Sequence, residues 1–194
     1  MRLQTLLQEV DVISIAGPLN REVIAVSEDS RSVGKDGLFV AIRGEVFDGH
    51  KFVSTVECGV VVGDQPSAVK DGVTFVLVSC SRAALAQIAS NLHENPSTKI
   101  PVVGLTGTNG KTTTSWILEA ILVEAGRRVG VVGTTGNRIA GVELDTVYTT
   151  PPAPIWQGLL SEMLAAKCDM VVAEVSSIAL STKRVAATDF SVGV

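Results

Sequence analysis

The sequence predicts an α/β protein in two parts. One is a small α/β domain over residues 1–97; the other, over residues 98–194, is the first part of a larger α/β domain built on a mostly parallel sheet. Two observations carry this. Short β-branched runs alternate with segments of helical character, with most glycines between them. The tract Asn95–Pro101, with two prolines, Asn, Ser and Thr between a helical segment and a new apolar run, reads as the linker.

In chain order, residues 3–10 (LQTLLQEV) are expected as a helix, and residues 23–29 and 38–42 as strands. A short helix over 52–58 then leads into a strand at 60–63, followed by a strand at 74–78. Residues 81–95 form the next helix, with Ser81 as its cap and Ala84, Leu85, Ile88, Ala89 and Leu92 on one face. Beyond the linker come a strand at 102–106, a Gly-rich turn, a helix at 111–125, a strand at 129–133 and a hairpin-like stretch to 148. A helix at 154–166 and a strand at 169–175 follow. The chain stops at Val194 inside an apolar run, FSVGV, the pattern of an interrupted domain.

Composition narrows the function classes. An apolar fraction of 46% with 19% charged residues supports a buried core. A net charge of −4 without a Lys/Arg block argues against nucleic-acid binding by phosphate neutralisation. No run approaches the roughly 18 apolar residues of a membrane helix, and the N-terminus lacks the parts of a signal peptide, so a cytoplasmic protein without membrane insertion is expected. Cys58, Cys80 and Cys168 form no CxxC and read as buried thiols. Composition leaves the oligomeric state open.

The strongest chemical signal is Gly104-Leu105-Thr106-Gly107-Thr108-Asn109-Gly110-Lys111-Thr112-Thr113-Thr114, between a buried strand and an amphipathic helix. Gly107 and Gly110 let backbone N–H groups turn onto an anion, with Thr108, Asn109 and Thr113 completing the loop. Lys111 reaches β/γ-phosphate oxygens, and the helix N-terminus adds partial positive charge. Thr112 offers a hydroxyl to Mg²⁺. The spacing departs from GxxxxGK[ST], because Leu105 stands where the first glycine belongs. Glu174, ending the run DMVVAEV, is the acid expected to meet the same metal.

TGTNGKTTT, taken with Tyr148-Thr149-Thr150-Pro151 and Glu174-Val175-Ser176-Ser177, resembles the Mur ligase family, whose TGTNGKT form accounts for Leu105. Asp29-Ser30-Arg31, the run from Gly37 to Gly44 and Asp48-Gly49-His50 resemble the N-terminal domain of its MurE type. The resemblance implies an ATP- and Mg²⁺-dependent ligase. It would join an amino acid, meso-diaminopimelate or L-lysine, to UDP-N-acetylmuramoyl-L-alanyl-D-glutamate through an acyl phosphate. By the same resemblance Lys111 and Glu174 are the catalytic positions, with Thr112 and Glu174 on the metal. Thr149, Thr150, Ser177 and Arg184 fall where the muramoyl-peptide and its diphosphate are held, and Ser30 with the backbone of residues 43–46 where the uridine end is held.

Bland readings stand beside these. Ser30 and Arg31 could brace a turn, Arg184 could be a surface cation, His50 stabilises a turn, and His93 is a helix C-terminal charge. Ile178, Thr182 and Pro152 depart from the family's His, Gln and Asp, and Lys183 falls too early to be its carbamylated lysine. The family's C-terminal amino-acid-binding domain and half of its ATP-binding domain are expected to lie outside these residues, so the chain alone is expected to show no ligase turnover. Two other readings compete: a nucleotide-binding switch module, and a sister ligase of the D-alanyl-D-alanine-adding or folylpolyglutamate type. The absence of NKxD weakens the first, and the front motifs weaken the folate variant of the second.

Overall fold

Period-two and continuous apolar runs become strands, and their packing divides the chain into two units, Met1–Leu92 and His93–Val194. The computed structural model describes residues 1–44 and 46–194. The division falls at Leu92/His93. The tract expected as a linker forms a 3-10 turn, Pro96–Thr98, that packs within the second unit, where Pro96, Ser97 and Ile100 are buried. The Ser97 hydroxyl accepts the Asp189 amide at 3.0 Å.

In the first unit, β1 (Val12–Ala16), β2 (Ala25–Ser27), β3 (Gly37–Val40), β4 (Val60–Gly63) and β5 (Thr74–Val78) form one sheet in the order β1-β5-β4-β3-β2. Strands β2 to β5 are parallel, and β1 joins β5 antiparallel at the edge. Every residue of β3 and β4 is buried, as expected of central parallel strands covered on both faces. Phe39, Val53, Val56, Val61 and Phe75 make one core cluster. Helix α1 (Leu3–Leu6) packs on α2 (Ser81–Leu92).

Three local expectations change here. The first helix spans only Leu3–Leu6, because Glu9 takes φ 60°, a turn that feeds the chain into β1. The segment 52–58 is preceded by a 3-10 turn at Gly49–Phe52 and forms no helix of its own. Ser81 is the first residue of α2, and the Asp64 carboxylate accepts its amide at 3.2 Å, so Asp64 does the work expected of the Ser81 hydroxyl.

The second unit contains β6 (Val102–Leu105), α3 (Lys111–Glu124), β7 (Val129–Val132), β8 (Asn137–Ile139), β9 (Val142–Leu144), α4 (Ala153–Ala165), β10 (Met170–Glu174), α5 (Ser177–Ser181) and β11 (Val192–Gly193). Their sheet order is β11-β6-β10-β7-β8-β9. Strands β11, β6, β10 and β7 are parallel, while β7, β8 and β9 run antiparallel. One face of the sheet carries a cluster of Trp156, Leu160 and Met163 from α4 with Val171 and Ala173. The other carries Leu105, Val129, Val131 and Val172 against Leu118 and Leu122 of α3. Helices therefore cover both faces, the doubly wound arrangement.

This order positions the site. The chain leaves β6 through α3, lays down β7 two places away, and returns by α4 to insert β10 between them. The C-terminal end of β10 thus emerges between the loops that follow β6 and β7, which is where ligands collect on open α/β sheets.

Candidate functional site

Side chains alternate along a strand, so Glu174 shares the face of Val172, the face covered by α3. Its backbone pairs with Leu105 at the end of β6, immediately before the glycine loop. The loop needs the conformational freedom of two glycines, Gly107 at φ 139° and Gly110 at φ 86°, and Gly110 forms the N-terminal boundary of α3. Lys111 and Thr112 then occupy the first turn of α3, where free amide groups and the helix dipole favour an anion.

Thr112 Oγ1 donates to Glu174 Oε2 at 2.9 Å. Glu174 is 1% exposed, and it also accepts the Thr134 amide on Oε1 at 3.2 Å and the Thr134 hydroxyl on Oε2 at 3.1 Å. No Lys or Arg pairs with it among the described residues, so hydroxyl and amide donors alone hold this carboxylate. Gly133 makes room for it: a Cβ there would stand 2.4 Å from Glu174 Oε1. Lys111 Nζ donates to the Gly107 carbonyl at 2.6 Å, folding its ammonium over the loop. A pocket of about 290 Å³ is lined by the loop residues Thr108 to Thr113 together with Thr134, Thr149, Glu174 and Ser176.

The structure therefore brings together Thr108, Asn109, Gly110, Lys111, Thr112, Thr113, Thr149 and Glu174 in one pocket, with Gly107 shaping the loop beside it. Thr149 Oγ1 lies 3.0 Å from Thr134 Oγ1. Thr150 is buried and acts behind the pocket, its hydroxyl donating to the Glu174 carbonyl at 2.8 Å and accepting the Ser176 amide at 3.0 Å. Arg184 is half-buried and donates from Nη1 to the Thr150 carbonyl at 2.8 Å, so it is a brace and not a loose surface cation. Ser177 is exposed in the first turn of α5 and does not line the pocket; Ser176, which caps α5, does. Lys183 is exposed and lies outside the pocket lining.

Sequence reasoning missed Gly133, Thr134 and Ser176. The pairing of β10 with β7 is what sets Thr134 against Glu174, and no spacing within the chain announces it.

The first unit has its own cavity, of about 530 Å³, which includes Ser30, Gly44, Phe47, Phe52 and Arg82 in its lining. Of the expected backbone stretch 43–46, Glu45 lies outside the described residues. Beside Ser30, Arg31 donates from Nε and Nη2 to the two oxygens of Asp29 at 2.9 and 2.7 Å. The side-chain and amide hydrogen bonds from Arg31 hold the Asp29 carboxyl at about 2 and raise the Arg31 guanidinium.

His50 joins the turn to the sheet. Its Nδ1 lies 2.8 Å from Asp48 Oδ1 and its Nε2 lies 3.2 Å from Asp64 Oδ1, and its hydrogen bond keeps Asp48 below the ordinary carboxylate value. His93 directly follows the last residue of α2 and sits beside Gly158 of α4, where burial pushes its imidazole below the ordinary value and disfavours the charge expected of it there. Cys58 and Cys168 are buried free thiols raised by desolvation, while Cys80 is half-buried. No helix of the described residues is long and apolar enough to cross a membrane.

The chain is similar to known proteins over its whole length. Over its whole length the chain is 38% identical to the UDP-N-acetylmuramoyl-L-alanyl-D-glutamate–2,6-diaminopimelate ligase of Alkaliphilus metalliredigens, covering 40% of that protein. It is 41% identical, again over its whole length, to the same-named ligase of Caldanaerobacter subterraneus subsp. tengcongensis, covering 41% of it. The chain thus spans about 40% of the length of the curated relatives it matches. A solved structure of a ligase of that name shares the fold, with a TM-score of 0.80 at 22% identity over 100% of this chain and 39% of that one. Residues 105–194 match the family model described as the Mur ligase middle domain.

Proposed function

We propose that this chain carries the precursor-binding unit and the phosphate loop of an ATP-dependent ligase that joins an amino acid to UDP-N-acetylmuramoyl-L-alanyl-D-glutamate. The observation that carries the reading is the convergence of Lys111, Thr112 and buried Glu174 on one pocket at the C-terminal end of the parallel strands. Relatives at 38–41% identity named for 2,6-diaminopimelate favour that amino acid over L-lysine.

The roles follow from the chemistry of each group. Loop amides and the first turn of α3 receive the phosphate chain, and Lys111 turns from the Gly107 carbonyl to its β/γ oxygens. The donor set fits Mg²⁺, because Thr112 Oγ1 and Glu174 Oε2 are hard oxygens already within 2.9 Å of each other. Two protein oxygens leave the remaining positions to phosphates and water, as Mg²⁺ prefers. Bound there, the cation would neutralise the transferring phosphoryl group. Thr134 orients the Glu174 carboxylate, and Thr150 with Arg184 fixes the strand end that carries it. Thr149 lines the pocket wall, and in this reading it contacts the muramoyl-peptide. In the first unit, Ser30 with the neighbouring backbone receives the uridine end. A cytoplasmic location suits these soluble substrates.

Calorimetric titration with ATP in the presence and absence of Mg²⁺ tests the reading. Saturable binding should weaken by about tenfold or more in Lys111→Ala, the scale of a lost charge-assisted contact. Glu174→Gln should remove the Mg²⁺ dependence. Equal affinity in the wild type and both variants would overturn the assignment.

A further inference from the structure

The cavity of the first unit contains two arginines with different commitments. Arg31 is neutralised by the two-pronged contact with Asp29. Arg82 makes a single hydrogen bond, from Nη2 to the Arg43 carbonyl at 3.1 Å, and pairs with no carboxylate among the described residues. Among the described residues, most of its five donors are therefore without a partner. Arg82 is the second residue of α2, whose first turn holds no acidic side chain. A cation at that end opposes the helix dipole, with only the Asp64 contact to the Ser81 amide as an offset. An anion in the cavity would meet the guanidinium and the helix end together.

The cavity also exposes aromatic surface. Phe47 is 75% and Phe52 41% exposed, and both residues line the same space as Ser30 and Arg82. Unburied aromatic faces next to an uncommitted guanidinium suit a ligand with a planar ring at one end and an anionic group at the other.

We infer that Arg82 is the residue that reads the phosphate of the nucleoside diphosphate end, while Phe47 and Phe52 provide the face for its base. This rests on the proposed reading of the first unit as the nucleotide-sugar receiver, and it gives α2 a part in the charge recognition that the resemblance alone would leave to Thr149, Thr150, Ser177 and Arg184.

The test is calorimetric titration of the 194-residue chain with UDP and with uridine, in wild type, Arg82→Gln and Arg82→Lys, with circular dichroism to verify folding. Arg82→Gln should weaken UDP about tenfold or more and leave uridine within about twofold, as expected for a lost charge-assisted contact. Arg82→Lys should recover part of the loss, since it restores charge without the fork. If UDP and uridine bind to the wild type and Arg82→Gln changes both equally or neither, the role of Arg82 is overturned while the reading of the unit stands. If the folded wild type binds neither, that reading fails and this inference fails with it.

Discussion

Thr112 Oγ1 and Glu174 Oε2 are 2.9 Å apart although 62 residues separate them in the chain. The contact ties the first turn of α3 to the last residue of β10, and it places both oxygens of the candidate metal site in one hydrogen bond. Under the proposed reading, a metal bound there would take the place of this hydrogen bond between its two oxygens.

Gly133 is the first place to disturb that contact. A methyl group would stand 2.4 Å from Glu174 Oε1, and both residues are buried, so the carboxylate has to move. Gly133→Ala should cost about 1–3 kcal/mol, the range for overpacking. It should also weaken the Mg²⁺-dependent part of ATP binding more than the Mg²⁺-independent part. Denaturant midpoints and paired titrations check the two effects.

Thr150 gives a separate test of the support behind the pocket. Thr150→Val keeps the shape but leaves the part-buried Ser176 amide without its acceptor and the Glu174 carbonyl without its donor, at a cost of about 1–3 kcal/mol. Thr150→Ser keeps the hydroxyl and should lose much less. Similar unfolding midpoints for Val and Ser would show that the two hydrogen bonds carry little.

Much of this architecture was legible because it is local. The glycine loop, Lys111 and Thr112 form one contiguous motif, and the runs at 60–63 and 74–78 become β4 and β5 because every apolar residue in them faces packing. Strand β1 escaped notice, since Ile13 and Ile15 stay exposed on an edge strand and its alternation marks no core. Thr134 and Ser176 escaped for a different reason. Their roles depend on β10 inserting between β6 and β7, a long-range pairing that no local period encodes. Thr150 and Arg184 were legible as positions, but only the packing shows them acting through the strand end.

The Asp29–Arg31 pair makes a pH prediction. A carboxyl held at about 2 instead of 3.8 stabilises the folded turn at all pH values above its ordinary range, and that contribution disappears as pH falls toward 2. Both groups are exposed, so the effect is confined to the turn and is weakened by salt. Carboxyl NMR shifts should titrate near 2 in the wild type and move up toward the ordinary value in Arg31→Gln. A wild-type midpoint near 3.8 would show that the contact does not persist in solution.

The hairpin that follows β7 should be held to α3 by charge. Arg138 on β8 reaches Glu119 on α3 with Nη2 at 2.7 Å and Nε at 2.9 Å, the two side chains being 5% and 12% exposed. Its guanidinium lies 3.8 Å above the centre of the Trp116 ring. Removing one partner strands a buried charge, so Arg138→Met alone should cost about 3–5 kcal/mol, whereas Arg138→Met with Glu119→Leu should recover most of it. Trp116 is half-exposed and Trp156 fully buried, so a fluorescence change on Arg138→Met without unfolding reports on Trp116. The loop between β7 and β8 carries Thr134, which orients Glu174. A hairpin released by Arg138→Met should therefore weaken Mg²⁺-dependent ATP binding, and the apolar double variant should restore it. If the single variant unfolds at the wild-type denaturant midpoint, the ion pair does not anchor the hairpin and Thr134 is positioned by β7 and the turn alone.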